Sequence, residues 1–265
     1  MSLTPRMDRG AGLGAQLGPC YRRPVKLSVV IPALDEAEHI EAAIQSIRCA
    51  RPEPTLERTA VPPLDAEAPD VEVIVVDGGS GDDTASRAAA AGARVVPSER
   101  GRARQLRAGV AASSGDAVLM LHADTRLPAG WTAAVVGALA DPRVVGGAFR
   151  LRFDERGPGL RLVEWGARCR VALWRLPYGD QAIFARREAL DAIGGIPQVP
   201  VMEDVDLVQA LKRRGRLALL ALPATTSARR YRDVGALRTW TRHLLALAAR
   251  ALGVDRARVA HWVGR

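Results

Sequence analysis

Four short apolar runs restrict the fold of this chain more than any other feature: Leu27-Ser28-Val29-Val30-Ile31, Val71-Glu72-Val73-Ile74-Val75-Val76, Val95-Val96 and Ala117-Val118-Leu119-Met120-Leu121. Near-continuous β-branched and aliphatic residues are what a strand buried on both faces requires. Between the runs the period changes. Ile40, Ala43, Ile44 and Ile47 share one helical face, introduced by the acids Asp35-Glu36-Ala37-Glu38, which we read as the first turn of that helix. Asp77-Gly78-Gly79-Ser80-Gly81-Asp82-Asp83-Thr84 caps a second helix, and Gly101-Arg102-Ala103-Arg104-Gln105-Leu106 opens a third. Strand alternating with helix in this way predicts an α/β fold with a mostly parallel central sheet wrapped on both faces.

Beyond Leu121 the pattern is less regular. Val144 to Phe153 reads as a strand, Leu160 to Leu176 as a helix, Ala182 to Ala185 as a short strand, Val201 to about Arg214 as a loop entering a helix, and Leu217 to Leu222 as a strand. Residues 1–24 lack periodicity and read as a disordered leader, residues 25–232 as the folded domain, and the Pro-rich, acidic stretch 50–70 as a surface insertion within it. Residues 233–265 read as a basic amphipathic helical segment, with Leu237, Trp240, Leu244, Leu247, Ala248 and Ala251 at helical spacing and Arg238, Arg242 and Arg250 on one row.

Charge is concentrated at that end. The formal net charge is +9, and from Lys212 to Arg265 there are 13 basic and 2 acidic residues, against 25 and 27 in the remainder. Such a segment packs on the domain or lies on an anionic membrane surface. A nucleic-acid partner is not expected, because aromatics make up only 4% of the 265 residues and the arginines lack interleaved stacking residues. Three dispersed cysteines form no zinc or disulfide pattern, and we see neither signal peptide nor spanning segment, so a cytoplasmic protein is expected.

Several acids stand where strands end or helices begin: Asp77, Asp124, Asp180, Glu203 and Asp204. Ligands of open α/β sheets collect outside the carboxyl ends of the strands, so Asp77 and Asp124 would share an edge suited to a charged ligand and a divalent cation. Capping the turn before Pro128 is the alternative for Asp124, turn formation before Gly78-Gly79 for Asp77, and helix capping for Glu203 and Asp204. No G-x-x-x-x-G-K-[ST] occurs and no G-x-G-x-x-G follows the first strand, which argues against P-loop hydrolases and dinucleotide oxidoreductases.

The succession Val29-Val30-Ile31-Pro32-Ala33-Leu34-Asp35-Glu36, Val75-Val76-Asp77-Gly78-Gly79-Ser80, His122-Ala123-Asp124 and Met202-Glu203-Asp204 resembles the family 2 glycosyltransferases of the GT-A (Rossmann-like) fold, over about Lys26 to Tyr231. Gly101-Arg102-Ala103-Arg104-Gln105 and Gly179-Asp180-Gln181 are most similar to a small bacterial branch, the selenodomain-associated transferases. The resemblance implies an inverting transfer of a sugar from a nucleotide-diphosphate donor to a hydroxyl acceptor, small or lipid. It places Pro32, Leu34, Glu36, Asp77, Arg102, Gln105, His122 and Asp124 around the donor, Mg²⁺ or Mn²⁺ on Asp124, Asp204 with Glu203 at the general base, and Asp180 and Gln181 beside the acceptor or in support of the site. Arg104 is an alternative to Arg102 for pairing with phosphate.

One position departs from the pattern. His122 stands where many relatives carry the first acid of D-x-D, and His243 is then a candidate second metal ligand. The competing functions are a nucleotidyltransferase of related fold, and a non-catalytic regulator that binds nucleotide sugars or anionic membrane.

Overall fold

The computed structural model describes residues 25–49 and 69–235, and toward the C-terminus 239, 241, 245–247, 249–250, 252–256 and 258–259. The leader, nearly all of the 50–70 insertion, His243 and much of the expected C-terminal helix therefore lie outside the described residues. In chain order the elements are β1 (Lys26–Ala33), α1 (Ile40–Arg48), β2 (Asp70–Asp77), α2 (Thr84–Ala90), β3 (Arg94–Pro97), α3 (Arg102–Ala112), β4 (Ala117–Met120) and β5 (Thr125–Arg126). They continue with α4 (Trp131–Leu139), β6 (Val144–Phe153), α5 (Pro158–Trp174), a 3₁₀ turn at Gly179–Gln181, β7 (Ile183–Arg186), α6 (Arg187–Ala192), α7 (Glu203–Lys212), β8 (Arg216–Thr226) and α8 (Arg229–Val234).

The strands form one sheet in the order β3-β2-β1-β4-β7-β6-β8-β5. β1, β2, β3 and β4 run parallel, as the strand and helix alternation requires. β7 is antiparallel to both β4 and β6, and β5 is antiparallel to β8, so the sheet is mixed in its second half. In β1, Val29 and Ile31 face a cluster with Ile40, Ile44, Ile47, Trp131 and Phe184, while Val30 faces the opposite cluster with Ile74, Leu106, Val110, Leu207 and Leu211. Period-2 alternation with both faces apolar thus places α1 and α4 on one side and α3 and α7 on the other.

Two expectations are corrected here. Asp35 to Glu38 do not begin the helix, which starts at Ile40. Asp35 adopts a left-handed φ of 54°, and the backbone N–H groups of Asp35, Glu36 and Ala37 donate to Ser80, Thr84 and Asp82 of the loop after β2. These polar groups satisfy the N–H donors that a first helical turn would leave open, so helix formation is postponed. The last strand is also longer than Leu217 to Leu222. It crosses Pro223 because the pairing with β6 slips between Ala148 and Arg150, and proline is tolerated at such an irregularity. Beyond β8, α8 runs from Arg229 to Val234 and closes at Gly235.

Close approach of α3 to the sheet depends on one residue without a side chain. A Cβ on Gly109 would stand 2.3 Å from Val30 Cγ1 and 2.8 Å from Val76 Cγ2, whereas one on Gly137 in α4 meets nothing within 4 Å. Gly109→Ala should therefore destabilise the protein by about 1 to 3 kcal/mol by overpacking. Gly137→Ala should stabilise it by up to about 1 kcal/mol through helix propensity, both read from urea unfolding.

Candidate active site

The parallel register brings the carboxyl ends of β1, β2 and β4 level. Ala33 pairs with Asp77, Val30 with Met120, and the N–H of Leu121 donates to the carbonyl of Val30 at 3.0 Å. Pro32, Asp77, His122 and Asp124 therefore emerge on one edge, the place where such sheets collect ligands.

Asp77 organises its own loop. Its carboxylate accepts hydrogen bonds from the N–H of Gly79 at 3.1 Å and from the N–H and hydroxyl of Ser80, the latter at 2.5 Å. Gly81 N–H in turn donates to Asp35 Oδ1 at 2.8 Å, so the loops after β1 and β2 are one polar network. Turn formation by Asp77 is thus realised; the carboxylate remains half-buried at the sheet edge.

Gln105 has a different place from the one the resemblance implies. It is buried, and its Nε2 donates to the carbonyls of Ala33 at 2.7 Å and Val76 at 2.9 Å. A Cβ on Gly78 would lie 2.9 Å from that nitrogen, so Gly78 leaves the room in which Gln105 ties β1 to β2. Gln181 is likewise buried, bonded to the carbonyl of Phe149 at 3.0 Å and to Arg170 at 3.1 Å. Both amides hold the walls of the site through backbone groups. Arg104 points outward and pairs with Glu99 at 2.8 Å. Leu34 is half-buried in the loop beyond β1, and Asp180 is half-buried in the 3₁₀ turn.

Asp124 is positioned by the short β5–β8 pairing. Its carbonyl accepts from Ser227 N–H at 3.1 Å, while its carboxylate meets the hydroxyls of Thr125 and Thr226 only at 3.5 Å. Glu36 is clamped by Arg229 at 3.1 Å through both of its oxygens. Burial pushes the Glu36 carboxyl above its usual value, Arg229 opposes the shift and the nearby Asp124 charge adds to it. Sequence reasoning did not assign Arg229 a site role; its position three residues after the end of β8 was the available signal.

The other half of the site is built around Arg102. Its Nε donates to Glu203, its Nη1 lies 2.9 Å from His122 Nε2, and its Nη2 lies 3.6 Å from Asp204 Oδ2. Glu203 is 2% exposed, and this ion pair is shielded from water. Burial disfavours the guanidinium charge, but Glu203, Asp204 and Asp180 outweigh it and raise the Arg102 pKa further. Met202, at φ 64°, turns the chain so that Glu203 and Asp204 enter the first turn of α7. Asp204 accepts from Gly179 N–H at 2.8 Å and Val205 N–H at 2.9 Å, and its side chain keeps 15% exposure. A Cβ on Gly179 would stand 2.9 Å from His122 Nε2 and 3.3 Å from Asp204 Oδ2, so glycine is needed where these two groups meet the turn. Tyr178, packed under the Arg170 guanidinium at 3.4 Å, has its phenol pushed up to about 12 by burial and stays protonated at neutral pH.

Pro32, Arg102, His122, Gly179, Glu203 and Asp204 border a common cavity of about 20 Å³ behind the sheet edge. The structure thus gathers the sequence-expected Arg102, His122, Glu203 and Asp204 into one constellation. Asp77 and Asp124 stand along the same edge, and His243 is outside the described residues.

A family model described as "Glycosyl transferase family 2" matches residues 28–195. Glucosyl-3-phosphoglycerate synthase of Mycolicibacterium paratuberculosis is 40% identical over 107 residues, covering 37% of this chain and 28% of that protein; the Mycobacterium tuberculosis enzyme is 39% identical over the same extent. The chain thus spans about 28% of the length of these curated relatives. Crystal structures of the Mycobacterium tuberculosis synthase align with 87% of this chain and 81% of theirs. The complex with phosphoglyceric acid gives a TM-score of 0.60 at 26% identity, and that with Mn²⁺, UDP-glucose and glycerol 3-phosphate gives 0.58 at 26%.

The buried ion pair makes a testable energetic statement. Arg102→Met leaves the Glu203 carboxylate without its cation and should cost about 3 to 5 kcal/mol, whereas Arg102→Met combined with Glu203→Met should cost less than Arg102→Met alone. Urea unfolding of the single and double variants measures the difference.

Proposed function

This chain belongs to glycosyl transferase family 2, and we propose that it moves a sugar from a nucleoside-diphosphate donor onto a hydroxyl acceptor, with inversion at the anomeric carbon. The observation that carries the reading is a set of three carboxylates of different character: at the strand ends Asp77 held within its turn and Asp124 with only long contacts, and at the start of α7 Asp204, fixed by two backbone N–H groups and bordering a cavity with Pro32 and His122. The crystal structures of the mycobacterial synthase hold UDP or UDP-glucose with Mn²⁺ or Mg²⁺, which supports a uridine nucleotide sugar as the donor class here.

The nucleoside lies across the ends of β1 and β2, where Pro32 and Leu34 flank the base and Asp77 accepts a hydrogen bond from it. Asp124 holds the divalent cation. Its carboxylate suits that task, since the hydroxyls of Thr125 and Thr226 engage it only at 3.5 Å. Mg²⁺ and Mn²⁺ commonly take one or two protein carboxylates and complete their shell with phosphate oxygens and water. When bound, the cation screens the charge that builds on the departing diphosphate. Glu36, already clamped by Arg229, shapes the field around Asp124.

Asp204 takes the acceptor proton. Each of its oxygens accepts one backbone N–H and retains a second lone pair for the hydroxyl. Arg102 and Glu203 are positioning residues for it: the guanidinium orients the carboxylate, and Glu203 neutralises the guanidinium. As the acceptor oxygen attacks the anomeric carbon opposite the diphosphate, its proton passes to Asp204 and the bond to the diphosphate breaks. His122, against Arg102, replaces an acid in this wall with a side chain that adds no negative charge.

Incubation with a panel of nucleotide sugars and Mn²⁺, followed by proton NMR of the anomeric signal, tests this reading. An inverted product, and a fall in transfer of roughly 100-fold or more for Asp204→Asn with donor binding preserved, is expected. A product of retained configuration, or an Asp204→Asn enzyme of undiminished rate, contradicts the assigned base.

A further inference from the structure

Helix α5 is apolar on two sides, and among the described residues only one of them is covered. Leu160, Val163 and Ala167, at helical spacing, pack with Leu151, Phe153, Ala228 and Tyr231. The opposite stripe runs through Leu162, Trp165 and Leu173, which are 64%, 59% and 72% exposed, and Trp174 at the end of the helix is 62% exposed. Over the whole 17-residue helix only Ala167 is fully buried. A second apolar stripe left exposed on a surface helix marks a contact with something outside the domain.

Charge selects what covers it. From Arg156 to Leu176 there are five arginines, Arg156, Arg161, Arg168, Arg170 and Arg175, and one acid, Glu164. Arg161, Arg168 and Arg175 are exposed beside the apolar stripe. A second copy of the same face would bring these like charges together, whereas an anionic surface neutralises them. Tryptophan and leucine on one side with arginine along the flank is the composition of a helix that lies in the interface plane of a bilayer. Among the described residues no helix is long and apolar enough to cross a membrane, so contact of this kind is peripheral.

We propose that the outer face of α5 docks the protein on an anionic lipid bilayer. The sequence places such contact in the C-terminal basic segment, but Arg250 and Arg256 of that segment are turned inward onto Asp206 of α7 at 2.7 Å and 2.8 Å. Ala246, Ala249 and Val259 pack there on Val201. Docking through α5 has a consequence for the site. Arg170 bonds the carbonyl of Leu176 at 2.9 Å and Gln181 at 3.1 Å, and the intervening turn carries Gly179, whose N–H holds Asp204 at 2.8 Å. The docked helix is therefore hydrogen-bonded to the turn that holds Asp204.

Vesicle co-sedimentation of the full chain tests the proposal independently of any transferase activity. The protein should sediment with phosphatidylcholine vesicles containing 30 mol% phosphatidylglycerol at low salt, and binding should weaken as salt rises. The variant Leu162→Ser/Trp165→Ser/Leu173→Ser, with its fold checked by circular dichroism and thermal unfolding, should lose about tenfold or more in partitioning, because it removes the inserted apolar surface. Arg161→Gln/Arg168→Gln should reduce binding to anionic vesicles in the same direction. Absence of sedimentation by the wild-type protein overturns the proposal, as does a triple-Ser variant that binds as the wild type does. Sedimentation velocity showing a wild-type dimer that the triple-Ser variant converts to a monomer overturns it in favour of a second copy.

Discussion

A guanidinium withdrawn from water holds the catalytic half of this structure together. Arg102 is reached by Glu203 and Asp204 of α7 and by His122 beyond β4, elements that are far apart in the chain. Glu203 is 2% exposed, so its charge has no alternative partner in solvent. Buried ion pairs contribute little net stability, and their use lies in specifying one arrangement. Here the arrangement is the angle between α3 and α7, which the left-handed Met202 and the bare Cα of Gly179 make sterically possible.

The donor half depends on backbone register instead. Parallel pairing of β1 with β2 and β4 sets Pro32, Asp77 and the His122-to-Asp124 loop level, and Gln105 locks β1 to β2 from behind. The division is physical. In the proposed reaction the nucleotide and its diphosphate belong to the strand ends, and the acceptor belongs to the N-terminus of α7, where Asp204 is held.

Much of this was legible in the residues. The strand runs announced themselves because both faces of β1, β2 and β4 are covered, leaving no polar alternation to confuse their limits. Asp35 to Glu38 misled because acids before an apolar period signal a helix start, while the N–H groups they carry are claimed by Ser80, Asp82 and Thr84, residues distant in sequence. The structural part of Gln105 is hidden in the residues for a related reason: a motif records which residues recur together but cannot say whether an amide faces a substrate or a carbonyl. The Glu36–Arg229 clamp spans 193 positions, so the place of Arg229 just beyond β8 marks it as near the strand ends without naming its partner. The exposed stripe of α5 is not legible locally either, since the spacing of Leu162, Trp165 and Leu173 does not say which side of the helix the domain covers.

The central claim is that the edge ending β2 and β4 binds a nucleotide sugar together with a divalent cation through Asp124. Calorimetric titration of UDP-glucose with and without Mn²⁺, for the wild-type protein and for Asp124→Ala, tests it most directly, because coupling between metal and donor is reciprocal and appears as a change in affinity. The account predicts that Mn²⁺ tightens donor binding by about tenfold or more in the wild type and has no such effect in Asp124→Ala. Equal enhancement in both proteins, or wild-type binding that is indifferent to Mn²⁺, would contradict it.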